Sequence, residues 1–163
     1  MPFRGHGKLA QSWWAGAPPT FVSIAAATYV GVTFIPGVAG RIMGLAIFLD
    51  ASDNTQHWAI LEDHTLQSTR AARSFFPIQQ GASAGWRNLW LRPSIRVIVG
   101  HQYRLHCLTN GSYHRQNAAL TSPVTHNNLQ FINSFQTTAI DPVVVTITTN
   151  TNANGVDVLF QAD

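Results

Sequence analysis

A chain of 163 residues reads as one domain with room for a two-layer core. Charged residues make up only 10% of it, against roughly 25% in ordinary soluble domains, so Thr, Asn, Gln and Ser cover the surface, as suits either a protein docked in an assembly or a sandwich with a neutral exterior. The net charge of +3 comes without a basic run, which excludes a nucleic-acid footprint, and Cys107 stands alone, which excludes an internal disulfide.

Met1 to Pro19 has Gly, Pro and Ala without periodicity, so residues 1–20 are expected to form an extended N-terminal arm and residues 21–163 a single β-sandwich domain. An adjacent aromatic pair is costly to leave exposed. Trp13 and Trp14 therefore either tuck under their own domain or anchor the arm on a neighbouring subunit, with Phe3 and Arg4 as further partner contacts. Arg4 and Lys8 precede no apolar signal core, and Pro18-Pro19 breaks the segment, which predicts synthesis in a cytoplasm without an export signal of its own. Arg41 interrupts the longest apolar region, so no window approaches a membrane span.

From Tyr29 to Tyr113 the chain reads as strands and turns. Val30-Gly31-Val32-Thr33-Phe34 places an apolar residue at every second position, the mark of a strand that buries one face. Pro36-Gly37 and Gly40 form a turn, with Gly40 and later Gly100 expected to supply φ freedom. Arg41 to Leu49 fills both alternating sets with apolar or small side chains. Asp50 to Gln56 is a polar loop, His57 to Leu61 a short strand, and a turn containing Glu62 and Asp63 follows. Gln79 to Gly85 is a Gly/Ala/Ser loop. Trp86 to Leu91 alternates Trp86, Asn88 and Trp90 against Arg87, Leu89 and Leu91, and Trp58, Trp86 and Trp90 are expected to supply much of the core. Pro93-Ser94 and Gly100-His101 bracket a separate strand, Ile95 to Val99. Tyr103 to Leu108 is the next strand, and Asn110-Gly111 predicts a hairpin with the run that follows. Thr121 to Asn128 reads as a connector, Leu129 to Thr138 and Pro142 to Thr149 as strands, Asn150 to Gly155 as a polar turn, and Val156 to Phe160 as the closing strand.

Few residues promise chemistry. Gly81-Ala82-Ser83-Ala84-Gly85 fits G-x-S-x-G, but a nucleophile elbow needs a helix after the serine, and Trp86 to Leu91 reads as a strand. The seven histidines show no H-x-H or H-E-x-x-H spacing and are expected on the surface or in loops, so no metal is assigned. His101 and His106 lie five apart, on opposite faces of their run. Glu62 and Asp63 are the only adjacent acids, and neighbours on a strand cannot flank one bond, so no catalytic residue and no cofactor is expected. Asp50 and Asp53, with Trp58 and Trp86, form the candidate ligand loop: the two carboxylates could hold a hard cation but equally serve as solvated turn residues. Sugar binding would need exposed aromatics, and most of Trp58, Trp86, Trp90, Tyr103 and Tyr113 are expected in the core. Cys107 is expected to be a buried small hydrophobe.

The order of motifs resembles a known family. Tyr29 to Phe34, Ala39 to Phe48, His57-Trp58-Ala59-Ile60-Leu61, Gly85-Trp86, Leu91-Arg92-Pro93, Gly100-His101-Gln102-Tyr103, Gly111-Ser112-Tyr113 and Gly155 to Phe160 are similar to the successive marks of a small β-sandwich domain of uncharacterised function. That domain occurs in phage tail proteins and in bacterial surface proteins, often beside carbohydrate-active modules. The resemblance covers most of residues 29–160, departs from Thr121 to Thr138, and leaves the N-terminal arm without a counterpart. It implies a jelly-roll-like fold and transfers no catalytic residue.

The expected function is a phage virion structural protein of minor-tail or baseplate type. It would dock on other virion subunits through its arm and sandwich surface, as a homo-oligomer within the particle, with host-surface glycan as a further contact. The alternatives are a capsid decoration protein and a cell-surface carbohydrate-binding module. Neither nucleic acid nor membrane is an expected partner.

Overall fold

The alternation of apolar and polar residues becomes strand almost throughout. A computed structural model describes the backbone of residues 20–23, 26–49, 57–75, 84–110, 113–121, 124–126, 128–137, 148–150 and 152–163, and the side chains of 28–49, 57–68, 84–108, 125, 128–137 and 155–163. The strands in chain order are β1 (Thr20–Ser23), β2 (Ala26–Pro36), β3 (Gly40–Leu49), β4 (Trp58–Asp63), β5 (Ser68–Phe75), β6 (Gly85–Val97), β7 (Tyr103–Asn110), β8 (Tyr113–Thr121), β9 (Val124–His126), β10 (Leu129–Thr137), β11 (Thr148–Asn150), β12 (Asn152–Asn154) and β13 (Val156–Ala162). No helix occurs among the described residues. The arm residues Phe3, Arg4, Trp13 and Trp14 lie outside them, as do Asp50, Asp53 and most of the Gln79 to Gly85 loop.

Two antiparallel sheets face each other. One runs β11-β10-β2-β7-β4-β5 with β9 alongside β10; the other runs β13-β3-β6. A small ladder, β1-β8-β12, completes the set, with β8 beside β3 and β12 beside β10. The chain changes sheet between β2 and β3, β3 and β4, β5 and β6, and β6 and β7, the jelly-roll-like winding that lets successive strands cover each other's apolar faces. The predicted all-β sandwich is thus the observed one.

The core lies where alternation aims it. Val30, Val32 and Phe34 of β2 face Ile42, Leu45 and Ile47 of β3, with Tyr103, Leu105 and Cys107 of β7 and Val156, Val158 and Phe160 of β13 closing the layer. Phe131, Phe34 and Tyr103 form one row across β10, β2 and β7, and the Phe34 and Tyr103 rings stack at 5.7 Å between centroids. Burying a side chain of this size contributes about 1.5–3 kcal/mol, so the row anchors the larger sheet.

Several elements differ from expectation, each for a local reason. None of the described tryptophans joins the core: Trp58 and Trp86 are half-buried and Trp90 is exposed, because on β6 it is Leu89 and Leu91 that pack inward. β6 is one strand running through Pro93; among the described residues it is an edge strand paired with β3 alone, and its register jumps from Ile42↔Ile95 to Gly44↔Trp90, so Pro93 interrupts no ladder. Arg87, Arg92 and Arg96 with Pro93 guard this edge against another strand. β6 ends at Val97, and Ile98 and Val99 stand in the following turn. β7 and β8 belong to different sheets, so the Asn110-Gly111 signal marks a change of sheet and not a hairpin. β4 continues through Glu62 and Asp63 before its turn, and β5 follows where no strand was expected. Residues 148–150 and 152–154 are short strands, while most of the strand expected from Pro142 lies outside the described residues. Gly100 has φ +81 as expected, but Gly40 is needed for close approach: a Cβ there would meet the Gln161 carbonyl and the Phe160 ring.

Candidate functional site

Three features stand out on this scaffold. The first is the loop end where β2 meets β3, β4 meets β5, and β6 meets β7. Gly100 N–H donates to the Pro36 carbonyl at 3.1 Å, His64 N–H to the Gln102 carbonyl at 2.8 Å, Gln102 N–H to Thr65 Oγ1 at 2.9 Å, and Gly37 N–H to the Asn128 carbonyl at 2.9 Å. Ile98 N–H donates to the buried Tyr103 hydroxyl at 2.9 Å, which ties the outermost turn to the core. Asp63 sits beneath, fully buried, accepting from Leu66 N–H at 3.1 Å and facing His101 Nδ1 at 3.1 Å. On these braced loops Val38, Leu66, Ile98 and Val99 are exposed, Ile98 by 44% and Val99 by 49%.

The second feature is the outer face of the β13-β3-β6 sheet. Trp86 meets Phe48 edge-on at 5.5 Å, and Trp90 lies opposite Gly44 with 56% of its surface exposed. Asn88 between them is also exposed. Of the candidate ligand residues, Trp86 therefore belongs to a surface with Trp90, while Trp58 is on β4 in the other sheet.

The third feature is buried. Glu62, the only glutamate in the chain, is 3% exposed on the outer face of the larger sheet. Its Oε2 faces His106 Nε2 at 3.1 Å and its Oε1 faces His64 Nδ1 at 3.3 Å. Burial alone would raise the Glu62 carboxyl, but hydrogen bonds to His106 and His64, and the attraction of those rings when protonated, outweigh it and hold the carboxyl below its ordinary range. An ionised carboxylate only accepts, so in the neutral ring the His106 proton sits on Nε2 and Nδ1 is a buried lone pair with no partner among the described residues. The Phe135 ring lies 4.9 Å from His106, and the Arg104 guanidinium 5.9 Å from Phe135. Burial pulls Arg104 below its ordinary value, opposed by the Glu62 charge.

These contacts correct the expectation of surface histidines: His57 and His106 are buried, the former with Nδ1 3.1 Å from the Leu108 carbonyl, and His64 and His101 are half-buried against carboxylates. Glu62 and Asp63 do point to opposite faces of β4, and Glu62 pairs with His106 of β7; His101, expected on the same run as His106, lies instead in the loop before β7, where it pairs with Asp63. Among the described residues no group of three or more His, Cys, Asp or Glu could hold a metal ion. The strand that begins at Gly85 occupies the place where a nucleophile elbow needs a helix.

Cys107 is fully buried in the core, and burial pushes its thiol far above the ordinary range. The native protein should resist an aromatic disulfide reagent and react only as it unfolds in urea. Labelling at the same rate with and without urea would show that β7 opens in the native state.

Among curated proteins none matches this sequence. The profile of a family described as a domain of unknown function (DUF4082) matches residues 16–154, a span that runs from before β1 to the end of β12 and includes both tryptophan-bearing strands. With five-sixths of its length inside that match and its marks carried on a β-sandwich, the chain belongs to the DUF4082 family.

Proposed function

We propose that the domain is a non-catalytic phage virion component of minor-tail or baseplate type that docks on other virion subunits through its apolar loop end. The observation that carries this reading is the gathering of Val38, Leu66, Ile98 and Val99, four of the five large hydrophobics exposed among the described residues, on loops joined by hydrogen bonds. Exposed apolar groups collected at one end of a sandwich are typical of an interaction site. Loops already fixed to the core lose little entropy on docking, so more of the apolar burial appears as affinity. The low charge of the chain agrees, since an uncharged rim is cheap to desolvate.

The test is Ile98→Asp combined with Val99→Asp. Both side chains are exposed, so the variant should melt within about 1 kcal/mol of the parent while its incorporation into particles, read by quantitative mass spectrometry, falls at least tenfold. Undiminished incorporation would remove the loop end as the docking surface. A second reading, contact with host-surface glycans, is favoured by one separate observation: the exposed Trp90 with Asn88 beside it. A capsid decoration protein differs from a tail protein in copy number, which the same mass spectrometry reads.

A further inference from the structure

Leu89 and Leu91 pack against the core, so the alternate set on β6, Asn88, Trp90 and Arg92, faces outward, and all three are exposed. Trp90 is seated rather than loose. It lies in register with Gly44, where a Cβ would come within 3.4 Å of Trp90 Cε3 and 3.1 Å of Leu159 Cδ1. The missing side chain at Gly44 leaves a shallow seat for the indole and keeps it from standing free, while more than half of the ring's surface meets water. An indole held in this way offers the negative face of its π system to the polarised C–H groups of a sugar ring. Asn88 adds an amide donor and acceptor for hydroxyls.

The charges on the same face are one-sided. Arg41 hydrogen-bonds Ser94, its Nη1 lying 3.2 Å from Oγ. Arg96 is neutralised by Asp163 at 2.9 Å. Asp157 is buried, its carboxylate accepting from Val158 N–H at 2.7 Å. Arg92, two residues from Trp90 along the strand and hence roughly 7 Å away, makes no hydrogen bond or ion pair among the described residues. A stacking platform thus stands beside an uncommitted guanidinium, with no free carboxylate among the described residues of the face to repel an anion.

We infer that this face binds an anionic polysaccharide, a chain of pyranose rings bearing carboxylate or phosphate, with Trp90 stacking on a ring and Arg92 pairing with the anion. The inference rests on the glycan-contact reading above and names its site and ligand class. It is independent of docking through the loop end, which lies on other residues.

The test is isothermal titration of the full chain with polygalacturonate, alginate and hyaluronate, beside uncharged galactan and, as polyanions without sugar rings, poly(glycerol phosphate) and polyglutamate. Binding to at least one anionic glycan, and to none of galactan, poly(glycerol phosphate) and polyglutamate, is expected. Trp90→Ala should weaken it about tenfold. Arg92→Ala should weaken it about threefold at low salt and remove most of its salt dependence. Equal binding of galactan, lost in Trp90→Ala, would overturn the anionic class and keep the glycan contact. Equal binding of poly(glycerol phosphate) or polyglutamate, unaffected by Trp90→Ala, would reduce the face to a simple charge effect. No binding to any glycan would overturn the inference and the glycan contact together, leaving the docking reading to its own test.

Discussion

Glu62→Ala is expected to cost about 3 kcal/mol of stability at neutral pH. The carboxylate is 3% exposed and satisfies one ring nitrogen of His106, itself 4% exposed, together with one of His64. Its removal strands the buried imidazole, which already carries one unpartnered nitrogen. The pH dependence has a definite sign. The folded-state pKa of Glu62 lies below its ordinary 4.5, so folding favours the charged form. That contribution is fully present above pH 4.5 and is lost as the pH falls through the lower folded value. The gap between parent and variant should therefore be widest near neutrality and narrow as the pH falls below 4.5 toward the lower folded value. Urea unfolding at pH 7 and pH 3 measures it. A gap of the same size at both would mean that Glu62 gains nothing from its charge.

Phe34→Ala should be costlier, about 4 kcal/mol. The ring is fully buried, opposite Phe131 on one neighbouring strand and stacked on Tyr103 of the other. Truncation opens a cavity in a row that the two flanking aromatics cannot close without moving β10 or β7. Tyr103 also receives the Ile98 N–H, so the loop end should loosen as the core does, and hydrogen exchange at Ile98 should rise with the loss of stability. A loss below about 1 kcal/mol would contradict the packing described for β2.

How legible these features were depended on whether the signal was local. β2, β3, β7 and β13 could be read from period-two alternation because each has one strongly apolar set. His101 lies in the loop before β7 and not on one strand with His106, but the opposite faces of Glu62 and Asp63 followed from the same geometry. Their pairing did not, because it depends on which strand lies beside β4, and the register that brings Glu62 to β7 is a property of the whole sheet. On β6, alternation separated Trp86, Asn88 and Trp90 from Leu89 and Leu91 but did not say which set faced inward; side-chain size favoured the tryptophans wrongly, and the polar Asn88 between them was the available clue. β5 went unread because Ser68-Thr69-Arg70-Ala71 has the polar composition of an edge strand at the end of its sheet. Ile98 and Val99 extend an apolar run and looked like strand; only the bond from Ile98 N–H to Tyr103 Oη and the turn at Gly100 place them outside. The loop end was thus hidden in residues that looked like core.

The docking account is tested most directly by counting this chain in purified particles. It predicts a few copies per particle, at the tail, and their loss when Ile98 and Val99 become aspartate while the melting profile stays the same. A capsid-scale copy number would move the protein to the head. Absence from every particle fraction, with the folded chain recovered on cell-wall glycans instead, would contradict the account.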